Sequence, residues 1–120
     1  MYVISKIFSL FRMGMIHPGL MALAWKIKRT KRTYLGYAAL CSLAKSFMME
    51  KKRHGEQVQV AEFGVGRGGS ATLLAWLVEH YGGKLTLYDL FGRIPAPTEI
   101  DGARAQQRYE DILAKEASDY

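Results

Sequence analysis

The run Val58-Gln59-Val60-Ala61-Glu62-Phe63-Gly64-Val65-Gly66-Arg67-Gly68-Gly69-Ser70 passes from a β-rich apolar stretch, through an acid, into four glycines and then a helix-forming segment. Glycine tolerates positive φ, and without a Cβ it lets backbone N–H groups come close to a ligand. The helix that opens behind it turns its positive end toward the same space. A strand, a glycine loop and a helix in this order make a nucleotide-type pocket. Glu62, two residues before the first glycine, bears on which nucleotide it takes.

Two cofactor classes use such a loop. Gly64-x-Gly66-x-x-Gly69 fits the dinucleotide fingerprint, and Asp89 lies 20 residues beyond Gly69, where a ribose-binding acid belongs. The same residues fit Glu-x-Gly-x-Gly-x-Gly, the loop of class I S-adenosylmethionine (SAM) methyltransferases. Both cofactors carry an adenosine ribose, so Asp89 does not separate them. Charge does: an acid in the loop repels a pyrophosphate and suits the sulfonium and amino-acid end of SAM. His17, His54 and His80 are far apart in sequence and sit in no metal-ligand motif. Cys41 is the single cysteine, which rules out an internal disulfide, and its place on an apolar helix reads as a small core residue.

Further residues sharpen the reading. Leu85-Thr-Leu-Tyr-Asp89-Leu90-Phe91-Gly-Arg-Ile-Pro95-Ala-Pro97, taken with Glu62 to Ser70, resembles the macrocin O-methyltransferase family, whose members read E-x-G-V-x-R-G-G-S/A and then D-S-F-x-G-L-P-x-P. Thr33-Tyr34-Leu35, 29 residues before Glu62, resembles that family's T-M/Y-I/L segment, which folds over the cofactor. The resemblance runs from about Thr33 to the C-terminus. Leu90 departs from the usual serine, and Gly92-Arg93 from an acid or amide followed by glycine. The resemblance implies a SAM-dependent O-methyltransferase acting on a hydroxyl of a sugar or related natural product. It implies a cofactor site built from Thr33, Tyr34, Glu62, Phe63, Gly64, Val65, Gly66, Gly68, Gly69, Asp89, Leu90 and Phe91. Backbone access would come from Gly64, Gly66, Gly68 and Gly69, and Asp89 would hold the ribose hydroxyls. It also implies Mg²⁺ in the full-length enzyme, with metal ligands and catalytic base outside this chain.

The elements that must position these residues are helices first and then a βαβ unit. Tyr2 to Met13 is apolar except for Ser5, Lys6, Ser9 and Arg12, which recur near helical spacing as one polar stripe. Lys6 and Arg12 break the run too early for a membrane span of about 20 apolar residues, and no signal-peptide core and cleavage site is present. Packing on a partner surface is the plainer reading of this helix, and weak contact with a membrane surface is the other. Pro18 suits the first turn of a second helix, to about Lys28. Thr33 can N-cap a third, with Tyr34, Tyr37, Ala38, Cys41, Leu40, Leu43, Ala44 and Phe47 as its apolar face. Val58 to Phe63 reads as the first strand, Ser70 to Tyr81 as a crossover helix about 18 Å long, and Lys84 to Tyr88 as a second, parallel strand. Asp101 can cap a last helix over roughly Ala103 to Lys115. The expected fold class is α/β: a Rossmann-like SAM-methyltransferase fold ending after its second strand and preceded by helices. Residues 1–32 would form a basic helical extension, and residues 33–120 the N-terminal part of the methyltransferase domain.

The 120 residues allow at most one domain, burying somewhat over about 60% of the unfolded surface. Hydrophobic residues make up 49%, an ordinary globular content that excludes wholesale disorder. Charge is divided unevenly: residues 1–55 hold 11 Lys or Arg and one acid, residues 56–120 hold 6 and 10. Lys51 to His54 fit the last turn of a helix before Gly55. Lys26 to Arg32 read equally as a solvated connector or an anion-binding patch. No nucleic-acid module accompanies them, so no specific nucleic-acid partner is expected. The expected setting is cytoplasmic, with a small hydroxyl acceptor as partner and homo-oligomerisation left open. Two other readings stay open: a fragment of an NAD(P)-binding oxidoreductase, and a non-catalytic basic interaction protein.

Overall fold

The computed structural model describes residues 2–92 and 95–118. Five α-helices and two strands follow in the order α1 (Tyr2–Ile16), α2 (Pro18–Arg29), α3 (Tyr37–His54), β1 (Gln59–Phe63), α4 (Gly69–Tyr81), β2 (Lys84–Tyr88) and α5 (Ala103–Ser118). The fold mixes helix and strand, compatible with the α/β class, and its sheet is parallel. Val60 pairs with Leu85, Glu62 with Leu87 and Phe63 with Tyr88. Residues up to Asp89 form one compact unit and those from Leu90 onward a second.

Pro18 occupies the first turn of α2, where its missing N–H costs nothing. His17 caps that helix: its Nδ1 accepts the Gly19 N–H at 3.0 Å. α3 ends in Lys51, Lys52, Arg53 and His54 before Gly55, so four basic residues meet the negative end of the helix. Lys51 also pairs with Glu56 at 2.8 Å. Met13, Leu20, Leu40, Leu73 and Leu77 are the largest fully buried side chains, and they join α1, α2, α3 and α4 in one core with Phe47 and Val58. Cys41 is buried in that core and is a free thiol. Val60 and Leu85 carry the sheet onto it, while Gln59, Ala61 and Phe63 face outward.

Four sequence expectations are corrected. Thr33 does not cap α3: its Oγ1 accepts the Leu35 N–H at 3.1 Å, a local turn that competes with capping, and the helix starts four residues later behind Gly36. Tyr34 therefore lies outside the helix and is fully exposed, and Ala38 is exposed within it. Val58 precedes β1; it closes a 3-10 turn over Gly55–Gln57 and buries its side chain instead. On α1, whose polar stripe the sequence gives without a direction, Ser9 is buried, its Oγ donating to the Ser5 carbonyl at 2.8 Å, and the apolar residues on the opposite side are exposed.

The fourth correction lies in the second unit. Asp101 ends a 3-10 turn (Glu99–Asp101) rather than capping α5. Its Oδ2 accepts the Thr98 backbone N–H at 2.7 Å and the Thr98 hydroxyl at 2.8 Å. These bonds, the backbone one first, hold its carboxyl below the ordinary 3.8. Gly102 follows, and its carbonyl accepts the N–H groups of Ala105 and Gln106 in the first turn of α5.

Candidate cofactor site

β1 delivers Glu62 to the inward face and Phe63 to the outward one. The Ser70 hydroxyl, in the first turn of α4, donates to Glu62 Oε1. Glu62 Oε2 is buried and has no hydrogen-bond partner among the described residues. A buried carboxylate oxygen without a donor carries a desolvation cost that a cation or an N–H donor would relieve.

The glycine loop then turns beside this acid. Gly64, Gly66 and Gly68 have φ of 81°, 54° and 80°, the left-handed region that penalises side chains. A Cβ at any of the three would meet nothing within 4 Å, so the loop presents an open side bare of side chains. Its shape is fixed from behind: Gly64 N donates to the Tyr88 carbonyl at 2.8 Å, and Gly68 N to the Val65 carbonyl at 2.9 Å.

Asp89, just past β2, reaches the same loop. Its Oδ2 accepts the backbone N–H of Val65 at 2.6 Å and of Gly66 at 3.2 Å. The spacing of 20 residues predicts an acid at the ribose; the structure adds that this carboxylate ties the loop to the second strand. Two loop amides that could otherwise receive a phosphate are already engaged by an anion. With Glu62 on the adjacent strand end, the site carries two carboxylates. Such a site disfavours a pyrophosphate and favours hydroxyls and cations.

Gly69 differs from the other three glycines. Its N–H donates to the Arg32 carbonyl at 3.0 Å, and a Cβ there would lie 2.6 Å from both that oxygen and the Thr33 Cβ. Its lack of a side chain serves close packing of the 32–33 segment on α4, while its amide is engaged within the protein like those of Gly64, Gly66 and Gly68. The same contact brings Thr33 to the start of α4, beside the loop, despite its failure to cap α3. Tyr34 follows as a fully exposed ring. Phe63 stacks on Tyr88, centroids 4.7 Å apart and nearly parallel, on the exposed face at the strand ends. Leu90 and Phe91 belong to the second unit; both are exposed, and Phe91 holds a φ of 49°. Arg93, the other departure from the family pattern, lies outside the described residues.

The fold also gathers a group that sequence separation hides. Trp76 and His80, one turn apart on α4, stack at 3.7 Å, and the His17 ring meets Trp76 edge-on at 5.1 Å. The i, i+4 spacing of Trp76 and His80 is the available signal; nothing local announces His17. His80 Nδ1 donates to the Trp76 carbonyl and His17 Nδ1 serves its cap, so both rings have structural uses. Among the described residues, no group of three or more His, Cys, Asp or Glu side chains converges as a metal site.

Comparisons of the chain with protein-family models, with curated proteins and with solved structures give no match.

Proposed function

We propose that residues 33–89 form the cofactor-binding part of a SAM-dependent O-methyltransferase on a Rossmann-like sheet, of the kind the macrocin O-methyltransferase resemblance implies. The observation that carries this reading is Glu62. An acid with one oxygen held by Ser70 and the other buried without a partner stands beside an open, left-handed glycine loop. That arrangement suits a ligand with a cationic amino-acid end and is hostile to a diphosphate. The engagement of the Val65 and Gly66 amides by Asp89 supports the same choice over the dinucleotide reading.

SAM supplies an electrophilic methyl group and the chain supplies position. Glu62 sets its carboxylate charge beside the loop, where it would attract the ammonium of the methionyl end. Gly64 and Gly66 leave the loop's open side bare, so the ligand can lie against backbone. Asp89 steadies the loop and faces the ribose hydroxyls. Holding the donor in one orientation relative to the acceptor hydroxyl lowers the entropic part of the barrier. For the Mg²⁺ that the resemblance implies, the described residues offer no ligand group, and none of these roles requires it.

The test is calorimetry with S-adenosylhomocysteine, NAD and NADP in parallel on the wild type and Glu62→Gln. S-adenosylhomocysteine is expected to bind the wild type, and the two dinucleotides are not. Glu62→Gln keeps the Ser70 bond but removes the charge. It is expected to weaken binding by about 1.5–3 kcal/mol, as for a hydrogen bond to a charged group. NAD or NADP binding more tightly than S-adenosylhomocysteine would sink the proposal.

A further inference from the structure

α1 and α2 turn an apolar face outward in the most basic part of the chain. Ile4, Ile7, Phe8, Phe11 and Met15 recur at helical spacing on one side of α1, each between 57% and 74% exposed. Opposite them Ser9 and Met13 are buried against the rest of the fold. The more apolar side of the helix is thus the one left in water. A Cβ at Gly14 would lie 3.3 Å from Met21 Sδ, so the surface continues from α1 onto α2, where Met21 and Trp25 are also exposed.

Cations border this face. The Arg12 guanidinium lies 5.3 Å from the centre of the Phe8 ring, and that of Arg29 lies 4.9 Å from the Trp25 ring. Lys26 is exposed one position beyond Trp25. Residues 1–49 contain eight Lys or Arg and no Asp or Glu. A neutral apolar partner would gain nothing from this one-sided charge, and a second copy of the same face would set cation against cation. α1, at 15 residues, spans about 22 Å. Among the described residues no helix is long and apolar enough to cross a membrane.

We propose that the outer face of α1 and α2 docks on an anionic lipid bilayer, with α1 lying in the plane of the interface. Phe8, Phe11 and Trp25 enter the acyl boundary, and Arg12, Lys26 and Arg29 reach the headgroups beside them. The attraction combines apolar burial with counter-charge and is screened by salt. The surface is separate from the glycine loop, so this proposal does not rest on the methyltransferase reading.

The experiment is co-sedimentation of the full chain with phosphatidylcholine vesicles, with and without phosphatidylserine, at low and high salt. Quenching of tryptophan fluorescence by brominated lipid reports insertion, with Trp76→Phe isolating Trp25. Binding is expected only where phosphatidylserine is present, and is expected to fall as salt rises. The double variant Phe8→Ser, Phe11→Ser is expected to bind at least about tenfold more weakly, with an unchanged circular dichroism spectrum. Lys26→Glu with Arg29→Glu is expected to abolish the preference for the anionic vesicles. Equal binding to both vesicle types overturns the proposal, as does unaltered binding by the phenylalanine variant. So does a wild type that ignores vesicles and forms a dimer which Phe8→Ser, Phe11→Ser disrupts: a second copy would then cover the face.

Discussion

Asp89 is a scaffold residue in the structure, and in the proposed cofactor site it has a second task. Its Oδ2 receives two loop amides, so removing it leaves the Val65 and Gly66 N–H groups without that acceptor and, under the proposal, the ribose without its acid. Asp89→Ala is expected to weaken S-adenosylhomocysteine binding by about 1.5–3 kcal/mol. Asp89→Asn keeps an oxygen for the loop amides and loses the charge, so it is expected to fall between wild type and alanine. Calorimetry on the three proteins checks the order. If asparagine and alanine are equally weak, the charge matters and the loop bonds do not. If both match the wild type, Asp89 has no part in the site. The position of Asp89 after an apolar strand is legible from spacing alone. Its hold on Val65 and Gly66 is not, because a bond across 24 residues exists only once the strands are paired. Glycine types are equally mute about role: Gly66 and Gly69 look alike in the sequence, and only the second is packed against another chain segment.

At the scale of elements, the turn before α5 gives a pH prediction. Thr98 bonds the Asp101 carboxylate through its N–H and hydroxyl, and the carboxyl is held below 3.8 in consequence. A group whose folded pKa is depressed adds stability above its unfolded pKa and loses it as pH falls through the folded value. The turn is therefore expected to keep its geometry at pH 5 and to open below about 3.8. The Asp101 carboxyl and Thr98 amide shifts, followed by NMR, should titrate together there. A midpoint at or above the ordinary carboxylate value would contradict the bonding. Asp101→Asn is expected to remove the pH dependence. This turn also marks where local patterns stop being decisive. Asp101 lies just before the last helical pattern and reads as its cap, but its carboxylate closes on Thr98 and the helix begins after Gly102. Likewise, periodicity shows that α1 has two faces, yet it cannot say which one meets α2 and α3. Apolar spacing in α3 is enough to find its core, because Leu40, Cys41, Ala44 and Phe47 of the predicted face are the residues that it buries.

Across the whole molecule, stability is concentrated before Asp89. The joint core of Met13, Leu20, Leu40, Phe47, Leu73 and Leu77 draws on four helices, and β1 and β2 rest on it through Val60 and Leu85. A two-stranded sheet is marginal by itself, so the order of the glycine loop depends on that helical packing. Residues 90–92 and 95–115 include none that is buried, and α5 is 16 residues long, close to the length at which a helix in water is marginal. Such a segment opens at low free energy. Native-state hydrogen exchange is therefore expected to divide the chain: amides of α3 and α4 slow, near the global limit, and those of α5 fast. Leu77→Ala, at a fully buried position, is expected to cost about 2–5 kcal/mol and to speed exchange in α4 accordingly. Because the loop leans on α4, the same substitution should loosen S-adenosylhomocysteine binding once unfolding is appreciable. An α5 as strongly protected as α4 would mean that its surface is covered in solution. A Leu77→Ala protein of unchanged stability would mean that the core is not the shared one described for α1 to α4.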